Sequence, residues 1–285
     1  MDIDDNNKPY YQIKEFTDIL INAIPEFVFA QHRNNSIDIN DTMELLRDAA
    51  KSIFKFKDSK LFYKCYVEKN IDACKKINKL PIYRRGEFGE LLLHVLLRDF
   101  HGTIPLISKI YFKDATNVPA HGFDAVHVTP DKEILWLGES KLYTHDKDGI
   151  KELIQDMEQH INRDFLNEQF TNIKKNLESS KHSERDKWLE KLEQCTQLKE
   201  IIKIINIPLL CTYECDIYDK FNDLDSVEAN QYYMNNVNEL KEYFDKNYNH
   251  ALKNSLNIIL LLFPIKNKKE FLENLYKKLY HMQSI

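Results

Sequence analysis

The sequence predicts an α/β fold, a central mixed sheet flanked by helices, with a helical N-terminal extension. Three observations carry that expectation. Two runs, Ile204 to Tyr213 and Leu256 to Ile265, are continuously rich in Ile and Leu, as strands buried on both faces are. Two further extended runs, GFDAVHV (Gly122 to Val128) and EILWLGESK (Glu133 to Lys141), flank the turn-forming cluster Thr129, Pro130, Asp131 and Lys132, the pattern of a β-hairpin. Segments with apolar residues at helical spacing fill most of the remainder.

Residues 1–80 read as mostly helical. Asp41 followed by Glu44 resembles a capping box that opens a helix through Leu45, Leu46, Ala49, Ala50 and Ile53. A second periodic stretch, Leu61 to Ile77, ends before Pro81. From Arg84 to Gly102, Phe88, Leu91, Leu92, Val95 and Leu96 recur at helical spacing, with Gly102 where a helix would stop. A strand is expected at Ile104 to Phe112, ahead of the hairpin. Helical spacing resumes from Asp148 to Phe165, and the charged stretch from Thr171 to Lys199 predicts two helices broken near Ser179 to Ser183, with Trp188, Leu192 and Cys195 on one face. Ile204 to Tyr213 and Leu256 to Ile265 are expected as buried central strands, and helices as Val227 to Tyr248 and Lys268 to Met282. The organisation expected is an extension over 1–80 packed on a core domain over 81–285, with a helical insertion at about 166–200.

Composition narrows the function. The 285 residues include 43% hydrophobic and 30% charged, with 6 Gly and 8 Pro, so disordered and collagen-like classes are excluded. Forty basic against 45 acidic residues give a net charge of -5, which lacks the overall positive field of a sequence-independent nucleic-acid binder. Any nucleic-acid site must be local or shared with a partner. No apolar run approaches the roughly 20 residues of a membrane span, and the start MDIDDNNK carries no apolar leader, so the expected compartment is the cytoplasm, with no membrane association. Five scattered cysteines argue against a disulfide framework and favour buried thiols. No glycine-rich phosphate loop or nucleophile elbow is present.

The chemistry concentrates on the hairpin. Alternate strand side chains share a face, so Glu139 and Lys141 point together. If Val128 faces Leu135 and Val126 faces Leu137, Asp124 falls opposite Glu139 on that face. Opposed carboxylates repel unless a cation sits between them, and oxygen ligands suit Mg²⁺ or Mn²⁺. Lys141 could then orient the attacking water or neutralise the phosphate. On the preceding helix Glu87, Glu90 and His94 flank the apolar stripe, so Glu90 can face the sheet edge, while Gly86 and Gly89 permit close backbone approach. A solvated helix face is the alternative for Glu87. Among the histidines, His121 stands nearest Asp124 in sequence. Arg84, Arg85, Lys109 and Lys113 could contact phosphates or be ordinary surface charges, and the locally basic Lys266 to Lys278 reads as a solvated helix, with contact to nucleic acid or a partner the alternative.

RGEFGE on a helix, then GFDAV, then GESK on an apolar strand resembles the PD-(D/E)xK nuclease superfamily. The resemblance implies a restriction-endonuclease-like core with Glu90, Asp124, Glu139 and Lys141 as catalytic residues. It further implies a metal held by Glu90, Asp124, Glu139 and the backbone carbonyl of Ser140. Phe123 stands where the superfamily's name-giving Pro would precede Asp124. Several such nucleases reach the site from the next helix, where Gln155 is the candidate, an ordinary surface amide being the alternative. The motif order over Arg84 to Lys141 is similar, more narrowly, to the HamA family, nuclease subunits of Hachiman anti-phage defence that work with the helicase HamB. This implies Mg²⁺-dependent DNA cleavage with a helicase partner. A non-catalytic adaptor of nuclease fold, and an RNA-directed nuclease, are the other readings the residues leave open.

Overall fold

The computed structural model describes residues 2–3, 9–30, 42–53, 56–77, 86–107, 122–179, 182–194 and 198–284. A short pair, β1 (Asp2–Ile3) and β2 (Pro9–Tyr10), precedes helices α1 (Ile13–Asn22), α2 (Ile24–Phe29), α3 (Thr42–Ile53), α4 (Phe56–Tyr66) and α5 (Ile71–Ile77). Then come α6 (Glu87–His101), β3 (Ile104–Ile107), β4 (Ala125–Thr129) and β5 (Ile134–Leu142). Four helices follow, α7 (Asp146–His160), α8 (Arg163–Ser179), α9 (Arg185–Gln194) and α10 (Leu198–Ile204), leading into β6 (Ile205–Glu214). The chain closes with α11 (Ile217–Lys220), α12 (Val227–Asn247), β7 (Asn257–Ile265) and α13 (Lys268–Ser284).

The five-stranded sheet runs β3-β4-β5-β6-β7, antiparallel on the β3 and β4 side and parallel from β5 to β7. The mixed α/β architecture expected from the sequence is therefore present. The hairpin register is the expected one, with Val126 opposite Leu137 and Val128 opposite Leu135. That register puts both aliphatic pairs on one face, and a slip of one residue would send one strand's pair to the opposite face.

Each sheet face carries its own apolar cluster. Odd-numbered side chains of β5 and β6, such as Leu135, Leu137, Leu209 and Tyr213, pack with Ile150, Leu153 and Met157 of α7, Trp188 of α9 and Leu240 of α12. On the opposite face Trp136 and Leu210 join Leu91 and Leu92 of α6, Leu275 and Leu279 of α13, and Leu20, Ile24, Ala50 and Phe62 of the N-terminal helices. Stacked Phe62 and Tyr276 rings, 4.3 Å between centroids, tie α4 to α13. The basic C-terminal helix therefore has a buried apolar face alongside its solvated one.

Several boundaries differ from expectation for identifiable reasons. The stretch from Leu61 to Ile77 is two helices, broken where Lys69 takes a positive φ of 56°. That turn brings Cys65 and Cys74 to a Cα separation of 4.7 Å, where they form a disulfide, correcting the reading of scattered thiols, while Cys211 and Cys215 are free and buried. The break within the charged stretch falls as expected between α8 and α9, and Trp188 and Leu192 are buried.

β7 is an edge strand, pairing among the described residues only with β6, so the expectation of a second central strand is corrected. Its side chains from Ile258 to Pro264 are half-buried, and Ile265 is buried. The outer edge is blunted instead by side chains: the hydroxyls of Tyr233 and Tyr218 donate to the carbonyls of Leu262 and Pro264, and Pro264 has no N–H to offer. Asp41, Cys195, the beginning of the expected helix at Arg84 and the end of the expected strand beyond Ile107 lie outside the described residues.

Candidate active site

β4 begins at Ala125, which pairs with Gly138, so β5 runs on past the end of its antiparallel partner. Asp124 stands in the bend just before β4 and continues the ladder in two ways. Its N–H donates to the Gly138 carbonyl at 2.7 Å, and its Oδ2 accepts from the Ser140 N–H at 2.9 Å and the Ser140 hydroxyl at 3.0 Å. The carboxylate thus takes the place of the missing strand. The expected register holds, but this bend turns the Asp124 carboxylate toward Ser140, the residue of opposite orientation, rather than squarely across from Glu139.

Glu139 and Lys141 share the β5 face that meets α7. Glu139 is 2% exposed, and its Oε1 lies 2.7 Å from His160 Nδ1, where an ionised Glu139 accepts from an Nδ1–H. The His160 ring is stacked on Phe165, with centroids 4.3 Å apart and planes 5° from parallel, and Phe123 meets its edge at 5.7 Å. Lys141 Nζ lies 2.5 Å from the Asp156 carboxylate. Burial alone would lower the Lys141 pKa, but the hydrogen bond and charge of Asp156, with the charges of Asp124 and Glu139, outweigh it and raise it above the ordinary value.

The helix acids approach from the other side of the sheet. A Cβ on Gly89 would sit 3.4 Å from Ser140 Oγ and 3.7 Å from Leu142 Cβ, so the missing side chain lets α6 lie directly on β5. Gly86 meets nothing within 4 Å and has no such role. Glu87 and Glu90, in the first turn of α6, are both buried. Glu90 is therefore carried on the element that covers Ser140, and Glu139 with Lys141 on the face that α7 covers. Asp124 sits at the open end of β4, where its carboxylate meets Ser140.

Gln155 and Lys151 are exposed on α7, and the residues of that helix reaching the pair are Asp156 and His160. The sequence reading missed both, because polar residues four apart on a charged helix look like a solvated face; the aromatic neighbours at 123 and 165 were the available signal for His160. His121, Arg84, Arg85, Lys109 and Lys113 lie outside the described residues.

The donor chemistry of Asp124, Glu139 and Glu90 is all hard oxygen, which matches Mg²⁺ or Mn²⁺. Among the described residues no three His, Cys, Asp or Glu side chains converge as a preformed metal cage. The same residues show no helix long and apolar enough to cross a membrane.

A mixed α/β sheet bearing an acid at the start of one strand and a Glu-x-Lys pair on its neighbour defines a class of sheet-edge acidic-site proteins. A family model described as HamA matches residues 1–279, and the chain belongs to the HamA family, a component of Hachiman-type anti-phage defence, which has further subunits. No curated protein and no solved structure matches.

Proposed function

We propose that this chain is a metal-dependent DNA nuclease that acts in Hachiman defence together with a helicase. One observation supports the reading above all others: the hairpin register brings Asp124 beside the Glu-x-Lys segment of β5 where β4 ends and the sheet edge opens. Such an edge admits a phosphodiester backbone to groups that strand pairing would otherwise screen.

Glu90, Asp124, Glu139 and the Ser140 carbonyl would hold Mg²⁺ or Mn²⁺, which when bound supplies charge neutralisation and an acidified water. Lys141 contributes a positive charge beside the scissile phosphate and orients the attacking water. Glu139, almost wholly buried, presents its carboxylate in a fixed direction. The net charge of -5 fits a subunit that relies on its partner to capture DNA.

The test incubates the chain, its Glu139→Ala and its Lys141→Ala variants with supercoiled plasmid and with structured RNA, in Mg²⁺ or EDTA, alone and with the helicase and ATP. Plasmid cleavage that needs metal, Glu139 and Lys141 is the expected result. Full activity in either variant overturns the assignment of residues. Cleavage confined to RNA would change the substrate, and silence in every arm would favour the adaptor reading.

A further inference from the structure

Glu139 and Lys141 present a physical problem that the site must solve. Opposite charges two apart on one strand face are close enough to pair with each other. A direct pair would turn the carboxylate away from a metal and the ammonium away from a phosphate.

The third layer of the site answers this. Asp156 and His160 are four apart on α7, so they share one helix face and are separated along the axis by about 6 Å. Glu139 and Lys141 are separated along β5 by about 6.6 Å. The two spacings match when helix and strand run in opposite directions, and the contacts do so: His160 meets Glu139 at 2.7 Å and Asp156 meets Lys141 at 2.5 Å. Each member of the pair has its own partner on α7.

The helix is held well enough to serve as a ruler. Ile150, Leu153, Ile154 and Met157 are buried along its inner face. Gly149 lies so close to β6 that a Cβ there would come 2.6 Å from Cys211 Sγ. The His160 ring is fixed between Phe165 and Phe123, and Phe123 immediately precedes Asp124, so the same ring also buttresses the loop that carries the strand acid.

We propose that Asp156 and His160 are positioning residues for the Glu139–Lys141 pair, His160 setting the direction in which Glu139 offers its carboxylate to a metal and Asp156 holding the Lys141 ammonium toward the phosphate. The proposal rests on the nuclease reading above. Hydrogen bonds behind metal-ligating groups commonly change metal affinity or activity by about 10–100-fold when removed.

The experiment compares the full chain with three variants. His160→Phe keeps the ring stack and loses the donor, whereas His160→Asn loses the stack and keeps an N–H near the Nδ1 position. Asp156→Ala releases Lys141. Two quantities are read: Mg²⁺ binding by calorimetry, and plasmid cleavage as a function of Mg²⁺, each with melting temperature in EDTA as the folding control. His160→Phe is expected to weaken Mg²⁺ binding about tenfold or more, with His160→Asn recovering most of it. Asp156→Ala is expected to lower the maximal rate while the half-saturating Mg²⁺ concentration stays within about twofold of the parent. If the parent cleaves and binds Mg²⁺ but His160→Phe and Asp156→Ala match it, the positioning role is overturned and the nuclease reading stands. If the parent neither cleaves with its helicase nor binds Mg²⁺, both fall.

Discussion

His94 Nδ1 lies 3.1 Å from His127 Nε2, joining α6 to β4 through two buried imidazoles one helical turn beyond Glu90. The Thr103 hydroxyl is 2.8 Å from His127 Nδ1, and His94 Nε2 is 3.8 Å from the Glu26 carboxylate of α2, which also accepts from Arg98 at 2.8 Å. Arg98 also pairs with Asp99, and Asp124 lines the small void beside both rings. Burial would raise the Glu26 pKa, but its contacts with His94, 3.8 Å away, and Arg98, 2.8 Å away, outweigh that and bring it to about 2. Burial lowers the pKa of both imidazoles below the ordinary 6.5, and the Arg98 charge pushes the same way.

A pH dependence of stability follows. For a histidine whose folded pKa is depressed, the unfolded chain binds more protons once pH drops below its own value near 6.5, so stability is whole above that pH and declines as pH falls. Glu26 acts in the same direction lower down: its contribution is whole above about 4.5 and is lost as pH falls toward about 2. The melting temperature is expected to fall from pH 7 to pH 5, and His127→Gln, which removes one ring, to flatten that slope. An unchanged slope in the variant would assign the pH dependence to other groups.

The hairpin was legible because its alternation is two-sided: Val126 and Val128 can be buried with Leu135 and Leu137 in only one parity, and that parity also fixes the face of Glu139 and Lys141. The orientation of Asp124 was not legible because the residue lies outside the strand, where a bend rather than the pleat sets its direction. β7 was legible as a strand but not as an edge, because an Ile and Leu run reads alike in a central strand and in an edge strand shielded by tyrosines from distant helices. The His94–His127 contact links residues 33 apart through tertiary packing, and no local spacing announces it.

Gly138 carries a packing constraint that a substitution would expose. A Cβ there would come 2.8 Å from Leu93 Cδ2, 3.1 Å from Pro208 Cγ and 3.4 Å from the Ala125 Cβ across the hairpin. The leucine tip can move, but the proline ring on β6 is held by its own strand. Gly138→Ala is therefore expected to destabilise the fold by about 1–3 kcal/mol, the range for overpacking a filled interior. Urea unfolding measures this, and an unchanged midpoint would mean that α6 and β6 yield without strain.

Asp124 has a structural duty separable from its proposed chemistry. Its Oδ2 satisfies the N–H and hydroxyl of Ser140, a residue only 5% exposed and beyond the reach of β4. Asp124→Ala leaves those donors without their acceptor, at an expected stability loss of about 1–3 kcal/mol, in addition to any loss of cleavage. Asp124→Asn keeps an oxygen acceptor in the same place while removing the charge that a metal would require. Its expected signature is near-parental unfolding with cleavage abolished. Parallel urea titrations and plasmid assays on the two variants separate the roles. Equal destabilisation by Asn and Ala would show that the ionic character of the Asp124–Ser140 contact, not its geometry, supports the end of the hairpin.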